Sequence, residues 1–433
     1  MMFKKLSIFF IMITPITLFA GTGGLSPQEV QLCQYLSDKK DAQLLLLEKL
    51  VNINSGSENL EGVQKVGELL WSEFEALGFK VRWGKGVTPM KRAAMLIAER
   101  QGSKGKRLLL LGHLDTVFPK ESPFQHFKRS GNTAMGPGVI DIKGGDVIIL
   151  YALKALAASH ALEDTTIRVV LTGDEESTAK PISVSRKPLI DLAKVSDIAL
   201  DFEPTIRDHV SVGRRGITHW SIQTKGKEGH SSRIFSNEFG NGAIFEMTRI
   251  LNDMRIALGS EKSLTFNPGA ILGGADVDFD TSLFRGSSFG KNNIISKITI
   301  ANGDLRYLSS EQKKQAEKTI ETIVSRNLPG TSATVQFQEV LPPMPPTDEN
   351  LKLFEQYRRV SEKLGNGNVQ LLPPELRGGG DIQTIAPYVS MGLVGIGANG
   401  RGEHSLEESL EVDSLVIQAQ RAALLIYQLT RIE

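Results

Sequence analysis

Three strand-length, predominantly apolar segments constrain this chain most: residues 108–111, 166–171 and 196–202. A strand with one face in water alternates apolar and polar residues, whereas a strand apolar throughout needs cover on both faces. Patterns of helical spacing separate these segments. Strands of this kind alternating with helices give an α/β fold built on a buried, mostly parallel sheet. Helical regions are read at 26–54, with Ser26 as N-cap and Glu29 three residues on, and at 62–77, 146–159, 350–364 and 413–431.

The pattern changes near Gly213. Residues 217–224 alternate as a strand with one solvated face, 241–258 read as a helix, 294–301 as a strand, 309–326 as a helix and 331–340 as a strand. That order suits a small open-faced sandwich, and Pro342, Pro343, Pro345 and Pro346 end it. We read 213–342 as an α+β unit, a lid, inserted into a larger α/β domain made of 25–212 and 343–433. A chain of 433 residues is long enough for two cores.

With 50 basic against 49 acidic side chains there is no positive field to hold a nucleic acid. A composition that is 40% hydrophobic excludes a disordered chain. Lys4 and Lys5 precede an apolar run over 6–20, short of the ~20 residues that span a bilayer. Residues 1–20 therefore read as a signal peptide cut after Ala20, although Leu18 stands where a small residue is expected. A secreted or periplasmic location follows, with an uncleaved N-terminal anchor as the alternative. Cys33 is alone, so no intramolecular disulfide is available.

Acidic and histidine residues gather where these strands end. His113 and Asp115 follow the 108–111 run; Asp174, Glu175 and Glu176 follow 166–171; Glu203 follows Asp201 and Phe202; and Asp141 sits among glycines before a helix. Ligands of open α/β sheets bind at the carboxyl ends of the strands. Each cluster alone has an ordinary explanation, as a capped turn or as a carboxylate-rich helix start. Together they repel one another unless a cation neutralises them. Imidazole and carboxylates without thiolate suit zinc or another first-row divalent ion. One His holds a metal pair poorly, and His404, in a polar loop before the last helix, is the best second candidate. His126, His160, His209 and His219 lack this setting and read as structural. A nucleotide site is excluded, because Gly136 and Gly138 lead to Asp141 rather than to a third glycine.

The ordered set His-x-Asp, Gly-x-Gly-x-x-Asp-x-Lys-Gly, Asp-Glu-Glu, Phe-Glu-Pro and a late loop His resembles the co-catalytic zinc exopeptidases. That family includes glutamate carboxypeptidase, aminoacylase, acetylornithine deacetylase and succinyl-diaminopimelate desuccinylase, and the likeness is to glutamate carboxypeptidase above all. It runs from about residue 45 to the C-terminus. The resemblance implies a zinc-peptidase catalytic domain with an inserted lid that also makes a homodimer contact, and two zinc ions per subunit. It makes His113 and Glu203 ligands of one ion, Glu176 and His404 ligands of the other, and Asp141 the bridge. Asp115 would orient the His113 imidazole, and Glu175 would be the unligated general base. On the lid, His230 resembles the oxyanion donor that relatives receive from the partner subunit, and Asn293 and Arg306 match positions that bind the substrate's carboxylate end. Arg377 with Gly378, Gly379 and Gly380 resembles the glycine-rich substrate loop.

The implied reaction is hydrolysis of an amide beside a free carboxylate. A carboxypeptidase releasing a C-terminal amino acid and an N-acyl-amino-acid deacylase both fit. A non-catalytic peptide-binding protein is the third reading, and the presence of Glu175 argues against it. The departures are Ser296 in place of Pro after Asn-x-Ile, Ser232 to Phe235 without the usual Pro, and Asp381-Ile-Gln after the glycines. All lie near substrate contacts and none in the ligand set.

Overall fold

The structure, a computed structural model, describes residues 24–85, 88–281 and 283–431. The expected signal segment at 1–20 and its cleavage point lie outside the described residues. Among those described, no helix is long and apolar enough to cross a membrane.

The apolar segments form the centre of a six-stranded sheet. Its order is Lys80–Trp83, Leu96–Arg100, Thr165–Thr172, Lys104–His113, Ile198–Asp201 and Met391–Val394. The last four run parallel, with Leu108 opposite both Ile167 and Ile198; Leu96–Arg100 is antiparallel to its neighbours. Cover on both faces is visible residue by residue. Leu108 and Leu110 pack into one cluster with the helices Lys143–Ala158 and Val412–Leu429, whereas Leu109 and Leu111 pack into another with Leu189, Leu192, Ile382 and Ile385. An alternating strand could not satisfy both.

The region read as one helix over 26–54 is two, Pro27–Asp38 and Lys40–Val51, parted where Lys39 leaves helical geometry. The Ser26 cap is present, Ser26 N donating to Glu29 Oε2 at 2.8 Å. The helix read at 146–159 starts earlier, as Lys143–Ala158.

A second sheet runs Thr265–Gly274, Ile298–Tyr307, Gly216–Gly226, Thr331–Leu341, antiparallel throughout. Helices Gly242–Leu258 and Ser310–Val324 lie on one face, where Trp220, Ile222, Met247, Ile250, Leu305 and Ile320 make its core. The sequence led us to expect three strands here. The fourth, Thr265–Gly274, is an edge strand whose Pro268 and Gly269 sit at a bulge, so its composition reads as a turn; an edge tolerates Pro because one side needs no ladder donor. A hairpin, Asp276–Asp280 with Arg285–Phe289, follows it, and the strand read at 294–301 is Ile298–Tyr307. The chain enters and leaves this sheet through one paired point: Arg214 N donates to Met344 O at 2.8 Å and Met344 N to Arg214 O at 2.9 Å.

Candidate metal centre

Three parallel strands deliver the site. His113 is the last residue of Lys104–His113, the loop after Thr172 carries Glu175 and Glu176, and Glu203 lies two residues past Asp201. Asp141 stands just before helix Lys143–Ala158, and His404 lies in a loop with φ of 62°.

Asp141 is central. Its Oδ1 lies 3.1 Å from His113 Nε2 and its Oδ2 lies 3.1 Å from His404 Nε2. Beyond it, His113 Nε2 is 3.8 Å from Glu203 Oε1, and His404 Nε2 is 3.2 Å from Glu176 Oε2. His113, Asp141 and Glu176 offer ligand atoms within 4.8 Å of one another, and so do His113, Glu175 and Glu203. Glu175, read as unligated, thus stands as near the second group as the residues read as ligands.

Asp115 sets the geometry from behind. Fully buried, it accepts from Glu175 N at 3.0 Å, Glu176 N at 3.1 Å and Ser57 Oγ at 2.6 Å. Its carbonyl oxygen lies 3.0 Å from His113 Nδ1, and its Oδ1 lies 3.4 Å from the same nitrogen. One residue therefore orients the imidazole and holds the loop that carries both glutamates.

The electrostatics call for a cation. Burial, together with the Glu203 carboxylate, pushes Glu175 well above the usual carboxylate range, and burial raises Glu176 too. Burial would also raise Asp141, but hydrogen bonds from His113 and His404 outweigh it and hold it low. Hydrogen bonds to Asp141 and Glu176 push His404 up to about 11. His113 is raised as well, its desolvation outweighed by Asp115 and Asp141. Glu176 Oε1 is buried without a partner. Carboxylates and imidazoles thus crowd one cluster, and the residues fit a pair of divalent ions held by nitrogen and oxygen.

One open cavity joins Asp141, Glu175, Glu176, Glu203 and His404 to Arg377, Gly378 and Gly379. The glycine loop thus shares one cavity with the acidic cluster. Two arginines close this side, Arg377 and Arg214, each with a buried Nη2 that lies 3.7 Å from Glu203 Oε2 and makes no hydrogen bond. Arg214 escaped the sequence reading; its only signal is a pair of basic residues between Gly213 and Gly216. It fits because Gly380 has no side chain, since a Cβ there would come within 2.2 Å of Arg214 Nη1. Glu403, also unanticipated, lines the same cavity.

Among the described residues, the cavity is lined by none of the lid positions singled out. His230 is exposed with its Nδ1 2.8 Å from Ser232 Oγ, and it is bridged to Ile294 beside Asn293. Arg306 donates to Asp304 Oδ2 at 2.8 Å. Of the histidines read as structural, His160 pairs with Glu163, and His209 lies against backbone carbonyls of Ile206 and Arg207.

A sequence profile of peptidase family M20/M25/M40 matches residues 109–428. Carboxypeptidase G2 of Pseudomonas sp. (strain RS-16) is 30% identical over 432 residues, covering 95% of this chain and 94% of that protein. Succinyl-diaminopimelate desuccinylase of Acidiphilium cryptum (strain JF-5) is 26% identical over 387 residues, covering 86% and 94%. Among solved structures, aminopeptidase PepT from Bacillus cereus ATCC 10987 superposes with a TM-score of 0.70 at 19% identity, over 90% of this chain and 98% of that one.

Proposed function

Since this chain belongs to peptidase family M20/M25/M40 and is a hydrolase of that kind, we propose that it is a dinuclear zinc enzyme cleaving an amide bond next to a free carboxylate. The observation that carries this reading is Asp141, whose two oxygens each face a different histidine, as a carboxylate bridging two ions must. His113 and Glu203 would hold one ion, and His404 and Glu176 the other. An ion pair held there would supply Lewis acidity to the substrate carbonyl and to the attacking water.

The chain's own residues do the rest. Glu175 takes the water's proton on its carboxylate and hands it to the leaving nitrogen, so the amine departs neutral. The guanidinium of Arg377, a residue that lines the cavity and makes no hydrogen bond through its buried Nη2, suits the substrate's carboxylate, whose two oxygens match the Arg fork. We read the reaction first as a glutamate carboxypeptidase-like release of a C-terminal amino acid, and second as N-acyl-amino-acid deacylation. Likeness to carboxypeptidase G2 over nearly the whole chain supports the first.

A panel of N-acyl amino acids and dipeptides, each paired with its C-terminal amide, tests this on zinc-loaded protein. Free acids are expected to turn over and the amides to lose at least ~10-fold in kcat/KM. Equal rates for both would overturn the carboxylate requirement.

We further read the 1–20 segment as an export signal and the protein as a homodimer in which His230 reaches the partner's cavity. His230→Ala is then expected to lower turnover by ~10²–10³-fold with little change in substrate binding, since an oxyanion contact forms fully only in the transition state. Mixing Glu175→Gln and His230→Ala subunits is expected to restore one working site per heterodimer. Proven heterodimers as inactive as both parents would overturn the shared site.

A further inference from the structure

Arg186 takes no part in the cluster described above, yet it is one of the most completely buried charged residues, with 1% of its side chain exposed. Its Nη1 donates to Asp174 Oδ1 at 2.5 Å and its Nη2 to the Asp174 carbonyl at 3.1 Å. Its Nε donates to Asp381 Oδ1 at 2.5 Å. The remaining carboxylate oxygens are also taken, Asp174 Oδ2 by Ala179 N at 2.8 Å and Asp381 Oδ2 by Thr172 Oγ1 at 2.7 Å.

The two partners come from distant parts of the chain, and each adjoins a working segment. Asp174 immediately precedes Glu175. Asp381 immediately follows Gly380 and opens helix Asp381–Ile385, so it anchors the loop carrying Arg377, Gly378 and Gly379. Asp115 grips the glutamate loop from the sheet side but does not reach the glycine loop. Arg186 reaches both.

We propose that Arg186 is a positioning residue that fixes the base Glu175 relative to the glycine loop that receives the substrate. This rests on the hydrolytic reading above. As a source of stability, a buried ion pair is replaceable and often gains little over apolar packing. As a geometric link it is not, because a planar guanidinium serves two carboxylates at fixed angles and a lysine ammonium on a flexible stem does not.

The test uses the full-length zinc-loaded protein with Arg186→Lys, Asp381→Ala and the double variant. Steady-state kinetics are joined to metal content, thermal melting and hydrogen exchange over 173–179 and 377–383. Arg186→Lys is expected to fold and to keep both metals while losing on the order of 10-fold or more in kcat/KM, as sub-ångström positioning errors do. Exchange is expected to rise in both segments together. Asp381→Ala, which leaves the Arg186–Asp174 pair in place, is expected to give the same loss, and the double variant to be no worse than either single one.

Wild-type kcat/KM in Arg186→Lys, losses that multiply in the double variant, or losses that merely track metal or folded fraction would each overturn the proposal. If the unmodified protein hydrolyses none of the panel, the hydrolytic reading fails separately. Exchange then decides alone: linked loss of protection in both segments supports the clamp, and unchanged protection over 377–383 overturns it.

Discussion

Chelation of divalent cations is expected to abolish hydrolysis and to lower the melting temperature, and added zinc to restore both. Ligands that bind only the folded chain stabilise it by mass action, about 4 kcal/mol for an ion at a thousand times its Kd. The cluster also dictates what calorimetry reads when metal returns. In the metal-free chain hydrogen bonds to Asp141 and Glu176 raise His404 to about 11, so that imidazole holds a proton at neutral pH, and His113 is shifted in the same direction. A ligating imidazole must be neutral. Binding therefore expels a proton from His404, and apparent affinity rises with pH until it passes about 11. The same shift has an opposite sign for the metal-free fold: the stability that protonated His404 contributes is fully present below its unfolded value and is lost as pH rises through the folded one. Titrations in buffers of different ionisation enthalpy measure the released protons. Full activity in protein shown by elemental analysis to be metal-free would overturn the centre.

Glu175→Gln is expected to cost at least ~10² in turnover while both metals stay bound, because Gln keeps the shape but cannot accept the water's proton. The structure makes the second half of that statement the sharper test. Glu175 offers an oxygen as close to His113 and Glu203 as a ligand would. Metal content falling in step with activity would make Glu175 a ligand and remove it as base. Turnover and elemental analysis on one preparation separate the two.

The parallel strands and their acidic ends were legible in the sequence because burial on both faces removes the alternation that other strands show. His113, Glu175, Glu176 and Glu203 could then be placed by counting from strand ends, and the structure brings them together with Asp141 and His404. What escaped was set by contacts between distant segments. Arg214 gains its place beside Glu203 only when the Gly380 loop folds over it. Arg186 reads as an ordinary basic residue until Asp381 arrives from nearly two hundred residues away. The edge strand Thr265–Gly274 hid behind Pro268 and Gly269, which local reasoning assigns to a turn.

The pairing of Arg214 with Met344 has an evolutionary consequence. Because the chain departs and returns at adjacent points joined by two hydrogen bonds, everything between them can be exchanged as a cassette without rethreading the six-stranded sheet. Recombination at that one crossing would join the same strand-end cluster of acids and histidines to a different inserted unit.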